Sequence, residues 1–312
     1  MARYIERAEN LARIIDVQQS DPRANEPQFW GAIVAINSDQ ERFFAGNTEY
    51  SAEAVLRFYI LDGDNPSSIL AALRAARDNG RALRPLISTE MWMQLNALYN
   101  RVRELGPVDI VLSRLPRVCA MVKEGCQSHT GITEGTFYRD QGWYFYQLGR
   151  YIERADQTTR LLDVKWHALR EGPSGAVQIG AWGGVLRSVA GYHAFRRVRP
   201  RDIKPEEVVG FLLLNDSFPR SVALCVDESD RLLTAVRSRA KLHGGARALE
   251  HLDALRAALI DVSPEEMLRR GLREFLDFVQ RRLDRVTAEL ARDFFGYIPP
   301  ASPTVEYRSE QA

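Results

Sequence analysis

Residues 2–17 read ARYIERAENLARIIDV and residues 149–164 read GRYIERADQTTRLLDV. At this offset of 147, nine of sixteen positions are identical, and Glu/Asp, Asn/Gln and two Ile/Leu exchanges are conservative. Placed at 100° per residue, Tyr4, Ala8, Leu11 and Ile15 form one apolar stripe, and Tyr151, Ala155, Thr158 and Leu162 take the same places in the second copy. The chain therefore carries one helix twice, and a recurring segment of this kind marks a repeated structural unit.

Working outward, weaker echoes keep the same order: Trp30-Gly31 against Trp182-Gly183, then FYILDGDNPSSI (58–69) against FLLLNDSFPRSV (211–222). The expectation is an all-α, elongated helical bundle built by internal duplication, with halves at 1–138 and 139–312 joined in one integrated domain. Ser263-Pro264-Glu265-Glu266 is a helix start with Ser as N-cap, Pro at N1 and Glu at N3. Leu268, Leu272, Phe275, Leu276, Val279, Leu283, Val286 and Leu290 then recur at three- and four-residue steps, which predicts one helix to about Phe295. Comparable runs cover about 87–105, 108–126, 139–170 and 219–240, and no stretch sustains the period-two alternation of a strand. Turn chemistry marks loops at Asp21-Pro22, Ala45-Gly46-Asn47, Asp78-Asn79-Gly80, Gly172-Pro173-Ser174-Gly175 and His243-Gly244-Gly245, and a loose tail from about 299.

Composition narrows the function classes. With 42 Lys+Arg against 41 Asp+Glu, the chain has no excess charge to draw in nucleic acid or anionic lipid. Arg outnumbers Lys 38 to four, which genome composition explains as readily as guanidinium chemistry. Cys119, Cys126 and Cys225 form no CxxC pair, implying reduced thiols in a cytoplasmic protein. The start, MARYIERAEN, lacks the apolar run of a signal peptide, and the longest uncharged stretch, 172–186, is too short for a membrane helix.

The face opposite the apolar stripe decides what the repeated helix is for. Glu6/Glu153 and Arg13/Arg160 lie there beside Val17/Val164 and Ile14/Leu161, so apolar residues bracket the charges. One reading makes Glu9–Arg13 and Asp156–Arg160 exposed i,i+4 pairs, contributing about 0.2–0.5 kcal/mol each. A second brings Arg3, Glu6 and Arg7 against Arg150, Glu153 and Arg154 across a pseudo-two-fold axis, as a partly buried cluster that must satisfy itself or hold a ligand. A third makes the face a partner interface.

The segments RYIERAEN, DQGWYFYQLGRYIERADQTTRLLDVK (140–165), FLLLNDSFPRSV and GLREFLDFVQRRL (271–283) make the chain resemble the bacterial alpha-E domain family over nearly its whole length. The family's Glu-Arg-Ala-Glu signature falls on Glu6-Arg7-Ala8-Glu9 and, with Asp in the last place, on Glu153-Arg154-Ala155-Asp156. The resemblance implies association with circularly permuted ATP-grasp ligases, transglutaminase-like proteases and proteasome-like peptidases. The expected role is an auxiliary partner of a peptide- or amide-bond-forming system, binding a peptide or carboxylate ligand. The alternative is an enzyme with Glu153, or Glu6, as acid/base and Arg150 and Arg154 as carboxylate clamps. The lead-in Trp143 to Leu148 has no counterpart before Arg3, so the first helix reads as clipped.

Other sites carry less. Glu6, Glu9, Glu153 and Asp156 lack the Glu-x-x-His spacing of a di-metal bundle, and adjoining Arg residues repel a cation, so no metal is expected. His129, His167, His193, His243 and His251 show no ligand spacing, and AVQIGAWGGVL (176–186) lacks the Lys-Ser/Thr that closes a phosphate loop, so no cofactor is expected; its glycines point to close packing around Trp182. The basic run Phe195 to Arg201 sits at a helix end where it is solvated or meets an acidic partner. Pro219-Arg220-Ser221 opens a helix whose free N–H groups offer a place for an anionic group, or simply a helix start.

Overall fold

The computed structural model describes residues 1–170 and 176–296, and these residues form helices, turns and no strand. In chain order the helices are α1 (Ala2–Gln19), α2 (Gly31–Ile36), α3 (Gln40–Phe44), α4 (Ala52–Leu56), α5 (Ile69–Ala82), α6 (Thr89–Arg103), α7 (Leu115–Thr136) and α8 (Gln141–Arg170), followed by α9 (Ala176–Ser188), α10 (Tyr192–Val198), α11 (Pro205–Leu214), α12 (Val222–Ser238), α13 (Ala246–Ile260), α14 (Pro264–Arg270) and α15 (Leu272–Phe295). The Gly172 to Gly175 loop and the tail from about 299 lie outside the described residues.

Packing falls into two sets of four long helices. α1 lies against α5 and α7, with α6 packed on both; α8 lies against α12 and α15, with α13 packed on both. The sets meet where α1 runs beside α8. Shorter helices cross the seam, α2 onto α8 and α9 onto α1. Trp30 and Trp182 are both fully buried at these crossings, and the Trp30 indole N–H donates to the Ala24 carbonyl at 2.8 Å. One continuous apolar core runs through both sets, with a small second cluster of Ala2, Ile87, Met91, Phe137 and Tyr146 at one end.

In this arrangement the face of α1 opposite the apolar stripe is largely buried as well. Ile5, Glu6, Ala8, Glu9, Asn10, Leu11, Ala12, Ile14 and Ile15 are all buried, while Arg3 and Arg7 near the helix start stay partly exposed. Three boundaries also differ. Asp78-Asn79-Gly80 is no loop but part of α5, where the missing side chain at Gly80 admits Leu95 of α6. The run expected over 108–126 is a 3-10 turn at Pro107–Asp109 and then an α-helix from Leu115 to Thr136, which starts there because Pro116 fits the first turn of a helix but not its interior. The helix expected from Pro264 to Phe295 is broken at Gly271, whose φ of 124° lies outside the helical range. The Ser263 start is as read, its hydroxyl accepting from the Glu266 N–H at 3.2 Å.

Candidate functional site

Three- and four-residue spacing puts Arg3, Glu6, Arg7, Asn10 and Arg13 on neighbouring turns of α1, and Arg150, Glu153, Arg154 and Gln157 on neighbouring turns of α8. Where the helices meet, they exchange ion pairs. Arg7 of α1 grips Glu153 of α8 with both oxygens engaged, Nε to Oε1 at 2.8 Å and Nη2 to Oε2 at 3.1 Å, and Arg3 Nε adds a bond to Oε2 at 2.9 Å. In return Arg154 of α8 donates Nε to Glu6 Oε1 of α1 at 2.9 Å. Between the two exchanges, Asn10 Nδ2 donates to Gln157 Oε1 at 2.8 Å, and Gln157 Nε2 donates to Glu153 Oε1 at 3.1 Å.

A third element closes the cluster. Arg220, in the turn before α12, points inward and donates Nη1 to Glu6 Oε2 at 3.1 Å and Nη2 to Glu9 Oε1 at 3.0 Å. Glu9 also takes Arg13 on the same oxygen, and Asp156 takes Arg160 at 2.8 Å. Both i,i+4 pairs therefore form, but the carboxylates are buried, which corrects the exposed reading.

Burial alone pushes the Glu153 and Glu6 carboxyls up, since low polarity favours the neutral acid. The arginines outweigh it: Arg7 and Arg3 hold Glu153 below its ordinary value of 4.5, and Arg220 and Arg154 do the same for Glu6. Burial likewise opposes the charge on Arg154, and Glu6 overrides it and raises that guanidinium above its usual range. A catalytic acid or base at neutral pH needs the reverse, a carboxyl lifted toward 7 with an unengaged oxygen facing a cleft.

Among the described residues the remaining candidates make no hydrogen bond to this centre. Arg150 turns toward α7, where Nη1 donates to Glu134 Oε1 at 3.2 Å beside Gln147 Nε2 at 2.7 Å, while its guanidinium lies 5.2 Å from the Tyr151 ring centre. Ser221 caps α12, accepting from the Leu224 N–H at 3.3 Å and donating to the Asn215 carbonyl. Burial pushes the Cys119 and Cys225 thiols up to about 12 and lifts Cys126 well above its ordinary value, so none is a ready thiolate. Among the described residues no group of three or more His, Cys, Asp or Glu is arranged to hold a metal ion, and no helix is long and apolar enough to cross a membrane.

Sequence reasoning did not single out Asn10, Gln157, Glu134 or Gln147. The signal for one pair was present: Asn10 and Gln157 are equivalent at the offset of 147, and equivalent residues that touch lie where the two helices cross.

A family described as "a predicted alpha-helical domain with a conserved ER motif" matches residues 1–295. Curated relatives include an uncharacterized protein of Mycobacterium bovis, 24% identical over 288 residues, and one of Mycobacterium tuberculosis at 23%, each alignment covering 86% of this chain and 32% of the relative. The chain thus spans about a third of the length of the relatives it matches. No solved structure matches. The match over 1–295 includes the Glu-Arg steps at 6–7 and 153–154 that exchange partners between α1 and α8, and the chain belongs to the Alpha-E family.

Proposed function

We propose that this chain is an auxiliary, partner-binding module of an ATP-grasp-linked system that makes or modifies peptide or amide bonds. Its partners are a circularly permuted ATP-grasp ligase and a transglutaminase-like protease, and it works in the cytoplasm. The observation that carries the non-catalytic reading is that Glu6, Glu9 and Glu153 are all buried and held by arginine, so the residues best suited to acid/base work serve the fold instead. The length of the mycobacterial relatives supports it too, because a domain that fills a third of a protein acts beside other parts of that protein. Three buried free thiols fit the reducing compartment. The descent of the two halves from one unit belongs to the same proposal, supported by the reciprocal Arg7–Glu153 and Arg154–Glu6 pairs.

Affinity purification of the tagged chain from its native host, followed by assay of the recovered ligase with and without it, tests this reading. The expected result is a ligase in the eluate whose ATP-dependent product formation falls when the chain is withheld. Full ligase activity without the chain, or turnover by the purified chain alone, would overturn the proposal.

A further inference from the structure

We propose that the groove between the start of α8 and the end of α15 binds the last four or five residues of a polypeptide, with the free carboxylate at Arg3, apolar side chains along the middle and a basic residue at the outer mouth. This rests on the peptide-handling reading above and names the ligand.

The groove encloses about 730 Å³, within the size range of ordinary ligand sites. Phe145 and Leu148 of α8 form one wall, and Leu290 and Phe294 of α15 the other. Phe145 meets Phe294 and Phe295 edge to face at 5.1 and 5.2 Å, which fixes the walls relative to each other. Three large apolar side chains on the rim are left in solvent, Leu83 at 42% exposure, Leu86 at 55% and Phe295 at 65%. An apolar trough with exposed apolar edges is a surface that gains by being covered.

Charge sets the direction of the occupant. At the inner end Arg3 packs against Gly149, where an added Cβ would come 3.4 Å from Arg3 Cγ. The Arg3 Nε is bonded to Glu153, while its two terminal amino groups make no hydrogen bond among the described residues, and the Asp284 carboxylate acts on this guanidinium only through its charge. A guanidinium pinned at Nε to a buried carboxylate presents that pair in a fixed orientation, suited to a second carboxylate. At the outer mouth stand Asp140 and Asp293. Each uses one oxygen on a backbone N–H, of Gly142 at 2.8 Å and of Gly245 at 2.7 Å, and keeps the other for a cation. From Gln141 to Gly149 the distance along α8 is about 12 Å, which an extended chain covers in roughly four residues. A fatty acid would use Arg3 and the walls but leave the acidic mouth unmatched, whereas a peptide with Lys or Arg four or five places from its C-terminus meets both ends.

The test is selection of random C-terminal pentapeptides on the immobilised full chain, followed by fluorescence anisotropy with the selected peptide, its C-terminal amide and dodecanoate as competitor. We expect enrichment of apolar residues near the C-terminus with Lys or Arg at the outer end, and binding about tenfold weaker for the amide. Leu86→Asp, on the rim, should weaken binding by about tenfold or more with an unchanged thermal melt. Arg3→Gln should erase the difference between acid and amide; Glu153 keeps Arg7 and Gln157, and the melt of this variant is recorded alongside. No enrichment, equal binding of acid and amide, equal displacement by dodecanoate, or a switch from dimer to monomer in Leu86→Asp would each overturn the proposal. Peptide binding without any ligase in the native eluate would instead overturn the proposed function and leave the groove standing.

Discussion

Glu6 and Glu153 are equally buried, yet their partners are not, and that difference decides what their removal costs. The arginines on Glu153 are partly solvated, with Arg3 at 35% and Arg7 at 28% side-chain exposure, whereas those on Glu6, Arg154 and Arg220, sit at 12% and 10%. Stranding an arginine that cannot reach water is the expensive case. Glu6→Gln should therefore cost about 3–5 kcal/mol in urea unfolding, and Glu153→Gln clearly less; equal losses would show that the Arg3 and Arg7 side chains are held as firmly as the inner pair. Because both carboxyls titrate below 4.5 in the folded chain, their stabilisation is complete above that pH and is lost as pH falls through the folded values. A separate window belongs to His129, whose imidazole burial lowers from 6.5 to about 4. Between these values the unfolded chain binds a proton that the native one refuses, so stability should fall by about 3 kcal/mol as pH drops across that range. His129→Leu should flatten the stability profile between pH 6.5 and 4.5; an unchanged slope would mean that His129 protonates in place. At this scale the sequence named most of the cluster but not its pairing. Arg220 read as a neighbour of a helix start, since nothing local ties it to residues more than two hundred positions away.

Elements were legible where local chemistry and long-range packing agree. Ser263, Pro264 and Glu266 declare a helix start by themselves, and α6, α8 and α12 lie close to where apolar spacing put them. The failures have different causes, but each turns on a Gly or Pro whose effect on a helix depends on its setting. Gly80 continues α5 because α6 needs the space, and Gly271 ends α14 although Leu268 and Leu272 keep perfect helical spacing across it. At φ 124° a Cβ on residue 271 would also run into the Glu274 carboxylate. Gly271→Ala should thus destabilise by roughly 1–3 kcal/mol through backbone strain, read as a lower urea midpoint at an unchanged slope. If the variant is as stable as the parent, α14 and α15 can join into one helix and the break is optional.

For the whole molecule, the likeness of the α1 and α8 segments was visible in the sequence, but the traffic between the two sets of helices was not. α2 packs on α8, α9 packs on α1, and the carboxylates of α1 depend on Arg154 and Arg220 from beyond the seam. Repetition in a sequence reports that two stretches are alike; it does not report whether each buries its own face or its neighbour's. Here α1 is covered on one side by α5 and α7 and on the other by α8 and α9, so opening either set uncovers Glu6 and Glu9 or strips Glu6 of both its cations and Glu9 of Arg220. Unfolding one set while the other stays native then carries the penalty of unpaired buried charge in addition to the lost apolar contact. The two sets should consequently unfold as one cooperative unit. Native-state hydrogen exchange on the amides of α5 and α12, which flank α1 and α8 on opposite sides, should give the same opening free energy. Glu6→Gln, although it lies in α1, should lower both by the same amount. Different opening energies, or a Glu6→Gln effect confined to α5, would mean that the ion pairs between α1 and α8 join two bodies that fold separately.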